Sequence, residues 1–262
     1  AQVLMGTTDV VMDHQEKKEL QRKFINPELC DITEALVYTE PYNDEKERNH
    51  VFPPIADFVK EKLYDDQELH CEVAKLKMDF MTRAQSLIHG DLHTGSIFIN
   101  EEDTKVFDPE FCFYGPMGYD IGNVIANMIF AWANGDAAGA EDFCKWVESV
   151  LVDVVNMTKE KMEKYYDEHV TDTMCKNALY KKYYMDTILE DTSAVAGLEL
   201  IRRIVGMANV KDITTIADEA KRARAEKICI TAAIDFIKNR SDKKCGKCFL
   251  RTLKDAIAEI DA

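Results

Sequence analysis

From Tyr119 to Ala262 apolar residues recur at helical spacing almost without a break, and a chain patterned this way buries helix stripes against one another. The spacing predicts helices over 119–132, 140–155, 159–168, 172–189, 194–207, 213–239 and 249–260. Upstream, helical patterns cover 13–24 and 63–81, and Asn26 followed by Pro27 reads as an N-cap with proline at the first helical position. The polar stretch 40–54, with prolines near both ends, reads as a loop. One segment breaks the pattern. "SIFIN" and "TKVFD" are β-favouring runs separated by the acidic turn "EED", which predicts a small hairpin. The expected class is mainly α with a minor β part (α+β): a single helical domain over 1–262 built around one hairpin.

That hairpin is framed by acids. A short apolar strand delivers His89, Gly90 and Asp91 to a loop, where Gly90 permits unusual backbone torsions and the Asp91 carboxylate can accept a proton from a hydroxyl. Asp108 and Glu110 leave the second strand on either side of Pro109, which fixes its own φ and restricts Asp108, so both carboxylates can be held near one point. Two hard oxygen donors suit Mg²⁺, which keeps water and phosphate as its other ligands. A base followed by a metal-binding acid pair matches the working parts of phosphoryl transfer. In protein kinases these parts are H-R-D-x-x-x-x-N followed by D-F-G; here they are His89-Gly90-Asp91, Ser96 at the asparagine position, and Asp108-Pro109-Glu110. Either motif alone reads equally well as a turn. Their order, with strand-turn-strand between them, favours catalysis. His93 could touch substrate or simply orient the loop.

Composition sets the boundaries. The chain has 262 residues, 46% hydrophobic, with only 11 Gly and 6 Pro, enough for a large core. No apolar run reaches the roughly 18 residues of a membrane span. The N-terminus shows neither a basic leader nor a long apolar segment, and the first residue is Ala rather than Met. A net charge of −15 disfavours nucleic acid and anionic membranes as partners. Eight cysteines, most within helical patterns, read as reduced, buried thiols of a cytoplasmic protein. "CGKC" at 245–248 has zinc-like spacing without a second ligand pair, and the bland reading is a turn opening a helix. His14, His50, His70 and His169 read as surface, and Tyr165, Tyr166, Tyr180, Tyr183, Tyr184, Trp132 and Trp146 as packing residues.

"HGDLHTGSI" followed by "DPEF" resembles the aminoglycoside phosphotransferase and choline kinase superfamily of protein-kinase-like small-molecule kinases. With "KVFDPEFCFYGPMGYDIG", "GLELIRRIVGMANVKD" and "NPELCDITEALVYTEPY", the resemblance narrows to the 5-methylthioribose kinase family and runs over nearly the whole chain. It implies transfer of the γ-phosphoryl group of ATP to the anomeric hydroxyl of S-methyl-5-thioribose, giving the 1-phosphate, in methionine salvage. It also implies Asp91 as base and substrate-orienting residue, Asp108 and Glu110 as ligands of Mg²⁺ and nucleotide phosphate, and a homodimer. Arg202 and Arg203 correspond to the paired arginines that this family brings to the sugar; from spacing alone, two adjacent helical arginines point roughly 100° apart and form surface ion pairs.

Kinases of this architecture also use a glycine-rich loop and a strand lysine ahead of the catalytic loop. Only Gly6 precedes Gly90 here, and the first eighty or so residues are patterned as helix. The expectation is a C-terminal catalytic lobe without its β-rich nucleotide lobe, inactive by itself. Competing readings are a kinase for an aminoglycoside, choline or another sugar, and a non-catalytic kinase-like binding module, which would gain nothing from three converging carboxylates.

Overall fold

A computed structural model describes all 262 residues. The order is α1 (Gln2–Gly6), α2 (His14–Lys23), α3 (Pro27–Leu36), α4 (Glu40–Asn43), α5 (Ala56–Val59), α6 (Gln67–Thr82), β1 (Ser86–Ile88), β2 (Ile97–Ile99), β3 (Thr104–Val106), β4 (Phe113–Gly115), α7 (Gly118–Ala138), α8 (Glu141–His169), α9 (Ala178–Val205), α10 (Lys211–Thr214), α11 (Glu219–Lys238) and α12 (Gly246–Asp261). The mainly helical class stands. No helix is long and apolar enough to cross a membrane.

The helices pack as the apolar stripes require. The core centres on α7, α9 and α11, whose Ile125, Ile129, Phe130, Leu198, Ile201, Ile228 and Phe236 are fully buried. α9 approaches both neighbours closely through glycines. A Cβ on Gly122 would lie 2.7 Å from the Thr192 carbonyl oxygen, and one on Gly197 would lie 2.5 Å from the Ala233 carbonyl oxygen. Gly197→Ala therefore forces α9 and α11 apart. Alanine gains about 1 kcal/mol of helix propensity, but overpacking costs about 1–3 kcal/mol, so the net expectation is a lower melting temperature. A raised one by calorimetry would show that the contact yields freely.

Three features correct the expected helix boundaries, the first being a break at 215–218, between α10 and α11, within the helix expected over 213–239. α9 is continuous where two helices were expected, because the polar run that looks like a break is buried and satisfied: Asp191 pairs with Arg83, the residue after α6, the Thr192 hydroxyl donates to the Ile188 carbonyl at 2.8 Å, and the Ser193 hydroxyl donates to the Phe236 carbonyl at 2.8 Å. α8 likewise runs through 156–158, where Asn156 accepts a hydrogen bond from the Gly246 N–H. The stretch 40–54 is not wholly loop. It begins with α4, whose buried Glu40 pairs with Arg48 and Lys46. Asn26 makes no side-chain cap: it sits at φ 46° and its amide donates to the Glu110 and Cys112 carbonyls at 2.8 and 3.2 Å.

The β part also departs from a single hairpin. The expected hairpin is β2–β3, antiparallel with Ile97 opposite Val106 and Ile99 opposite Thr104, but a second ribbon pairs β1 with β4 in antiparallel register, Ile88 opposite Phe113. The two differ in environment. β4 is wholly buried, with Phe113 against Phe80 of α6 at 4.9 Å between ring centroids, whereas Phe98, Ile99 and Val106 on β2–β3 are more than half exposed. Three-residue strands carry too little alternation to show such pairing in sequence. Trp146 is 59% exposed, tilted against Phe143, so it does not belong to the core, and Tyr183 is likewise exposed, its ring against Tyr180 of the same helix. Trp132 is buried and donates to Glu148, and Tyr166 and Tyr184 join a second small core. Of the eight free thiols only Cys144 and Cys229 are buried. His70 is half-buried, with its ring against the Leu63 carbonyl.

Candidate active site

Asp91 lies on the loop leaving β1, and a buried carboxylate shapes that loop. Asp120, in the first turn of α7, accepts the His89 N–H at 2.7 Å and the Gly90 N–H at 2.9 Å. Burial pushes the Asp120 carboxyl up from its ordinary value, and the two backbone donors pull the other way. Gly90 occupies φ 83°, and a Cβ there would lie 2.2 Å from the Phe111 carbonyl oxygen, so no side chain fits. His89 Nε2 donates to the Phe107 carbonyl at 2.9 Å, which leaves Nδ1 as the acceptor facing the Asp91 N–H at 3.4 Å. The loop carrying Asp91 is thereby bonded to Phe107 at one end of the segment 107–111 that carries Asp108 and Glu110, and it approaches the Phe111 backbone at the other.

His93 and Ser96 complete the loop. The Gly95 N–H donates to His93 Nδ1 at 3.0 Å, which places the ring proton on Nε2, 3.2 Å from the Ser96 hydroxyl and 3.8 Å from an Asp91 carboxylate oxygen. Ser96 is buried, its hydroxyl turned toward His93 and the Asp91 carbonyl. Its contacts are those of a residue that holds the loop's shape.

The arginines come from 111 residues away in the chain. Arg202 Nη2 is 3.4 Å and Arg203 Nη2 4.0 Å from the same Asp91 oxygen. Both also pair with Glu199, Arg202 closely through Nε and Arg203 through Nε at 2.9 Å. Adjacent arginines do diverge around a helix, but 202 and 203 are the i+3 and i+4 neighbours of 199, so one carboxylate gathers both. Neither is a surface pair: Arg202 is 12% exposed, Arg203 22% and Glu199 2%. Burial alone would push the Glu199 carboxyl up, but the two guanidiniums outweigh it and hold it below the ordinary value. Burial also works against the Arg202 charge, and Glu199 beside it more than compensates.

Asp108 and Glu110 are exposed, and neither carboxylate has a hydrogen-bond or ion-pair partner within the chain. Asp108 has φ 65°, the left-handed region, rather than the extended backbone that a following proline favours. Strain of this kind persists where surrounding structure imposes it. No three His, Cys, Asp or Glu side chains are gathered within metal-binding range, so the three acids do not form a closed protein cage. A cation here would draw further ligands from phosphate and water, as Mg²⁺ does.

Two acids escaped the sequence reading. Asp120 had a signal, a lone acid in the first turn of an apolar helix, and Glu199 had its i,i+3 and i,i+4 spacing to the arginines. Only contacts reveal what they hold.

A phosphotransferase enzyme family signature matches residues 21–149, which include Asp91, Asp108, Glu110 and Asp120. The chain is similar to the methylthioribose kinase of Escherichia coli O45:K1 (36% identical, 91% of this chain, 61% of the relative). It is similar to that of Bacillus pumilus (37% identical, 90% and 58%) and to methylthioribose kinase 1 of Oryza sativa subsp. japonica (36% identical, 87% and 56%). The chain thus spans about three-fifths of the length of the curated relatives it matches.

Proposed function

We propose, from the chain's homology to methylthioribose kinases, that it is the catalytic and substrate-holding lobe of an enzyme transferring the γ-phosphoryl group of ATP to the anomeric hydroxyl of S-methyl-5-thioribose. The observation that carries this reading is the meeting of Asp91 with Arg202 and Arg203 across the fold. A hydroxyl placed at Asp91 gives up its proton to the carboxylate as it attacks phosphorus. The neighbouring guanidiniums bind the remaining sugar hydroxyls as fixed donors and stabilise charge on the phosphoryl group in transit. Glu199 holds both arginines in place before substrate arrives, so little ordering remains for the reaction itself.

The unpartnered carboxylates of Asp108 and Glu110 fit a hard cation, and we assign them to Mg²⁺. When bound, the ion neutralises the nucleotide phosphates. The other half of the nucleotide contacts is assigned to a β-rich lobe outside these residues. The exposed apolar side chains Phe98, Ile99 and Val106 on the β2–β3 ribbon, beside the site, support this as a face that another body covers. A homodimer and a cytoplasmic location follow from the same family resemblance.

A substrate panel tests the reading. Full-length protein with ATP and Mg²⁺ should show a kcat/KM for methylthioribose about 100-fold or more above those for choline, an aminoglycoside and ribose. Preference for an amino alcohol would overturn the substrate. The 262-residue chain alone should turn over negligibly, and robust turnover would refute the separate nucleotide lobe while leaving the substrate assignment intact.

A further inference from the structure

α12 opens on Cys245-Gly246-Lys247-Cys248, a motif that phosphoryl transfer leaves unused. Cys245 is the residue before the first helical turn, and Cys248 lies within that turn. The Cys248 N–H donates to the Cys245 carbonyl at 2.8 Å, and the two thiols face each other with 3.0 Å between sulfurs. A turn of this kind keeps its first and fourth Cα atoms within about 7 Å, the range in which a disulfide closes without backbone movement. The backbone is also anchored. The Gly246 N–H donates to Asn156 of α8 at 2.9 Å, a Cβ on Gly246 would lie 2.3 Å from the Val152 carbonyl oxygen, and Lys244 pairs with Glu190 of α9 at 2.6 Å. Both thiols are partly accessible. The other six cysteines have no thiol partner.

We propose that Cys245 and Cys248 form a thiol–disulfide exchange couple that is oxidised by small-molecule disulfides of the glutathione type. The Cys248 thiolate attacks one sulfur of the small disulfide, whose S–S bond breaks and whose other half leaves as a thiolate that takes up a proton. A mixed disulfide then joins Cys248 to the small molecule. Cys245 loses its proton and attacks the Cys248 sulfur, the mixed disulfide breaks, and the second small thiol leaves. Two protein thiols are oxidised by two electrons, and one disulfide is reduced to two thiols.

Three observations choose this over other uses of the pair. Cys248 lies in the first turn of a sixteen-residue helix, whose N-terminal dipole end stabilises thiolate. Burial works against its ionisation, but the Cys245 thiol, the backbone donors and Arg251 together hold it below the ordinary thiol range. Burial instead pushes Cys30, Cys112, Cys144, Cys175 and Cys229 up. A metal site lacks partners, since no third His, Cys, Asp or Glu joins the pair.

The test uses the whole chain with excess oxidised glutathione at neutral pH, acid quenching, alkylation and non-reducing trypsin digestion. Cleavage after Lys244, Lys247 and Arg251 separates 245–247 from 248–251 when the thiols are reduced. Oxidation should keep the two joined, two hydrogens lighter in total, and dithiothreitol should restore the separate peptides. Cys245→Ser should accumulate glutathione on Cys248, because nothing is left to resolve the mixed disulfide. Separate peptides alkylated at both cysteines in the wild type would overturn the proposal, as would bridges to any other cysteine. An unmodified Cys248 in Cys245→Ser would overturn the assignment of the attacking thiol.

Discussion

Asp91→Asn in the full-length protein should lower kcat by about 10²–10⁴-fold, the range that a positioned general base contributes. Asparagine has nearly the same shape but cannot accept the hydroxyl proton. The fold should survive, because the Asp91 side chain is a third exposed and the arginines beside it keep their close partner in Glu199. KM for the sugar should change far less than kcat, since an amide oxygen still accepts a hydrogen bond from the hydroxyl. Steady-state kinetics at saturating ATP, with a circular dichroism melt of the same sample, separates the two effects. His93 Nε2 lies 3.8 Å from Asp91, but it carries the ring proton and faces the carboxylate as a donor. An Asp91→Asn variant that retained wild-type kcat would overturn the assignment of Asp91 as the base.

The second large effect is expected from Glu199→Gln. This substitution keeps the side-chain volume and removes the only buried anion that both arginines share. Breaking a buried pair by neutralising one partner costs about 3–5 kcal/mol, because the remaining charge is left in a poorly solvated place. For a chain of this size each kcal/mol lowers the melting temperature by about 2–4 °C, so a fall on the order of 10 °C is expected. At temperatures where the variant is folded, KM for the sugar should rise, because the guanidiniums are no longer held against Glu199 and can close onto Asp91. Calorimetry and kinetics below the melt test this. An unchanged melt with unchanged KM would mean that Asp91 alone organises the arginines.

The acids that frame the hairpin were legible in sequence because their signal is local: histidine, glycine and aspartate on one loop, then aspartate and glutamate around a proline, with two β-favouring runs between. The number of β ribbons was not, since β1 and β4 pair across 86–115 and neither is long enough to show its own period. The continuity of α9 was hidden for a different reason. Asp191, Thr192 and Ser193 look like a polar interruption until Arg83 and the carbonyls of Ile188 and Phe236 are seen to satisfy them. The paired arginines were misread from spacing for the same reason, since periodicity reports the direction of a Cβ and not where a long side chain ends.

What the residues determined by themselves is the helical class, one hairpin and the place of the acids at its ends, all set by torsional preference and by apolar spacing within a few turns of chain. What only the tertiary structure decided is the company those acids keep. Asp120 clamps the loop from one helix, and Glu199 gathers two arginines onto Asp91 from another. A charge in a dry interior is set by whichever opposite charge the fold brings within a few ångströms, and that partner lies at no fixed distance along the chain.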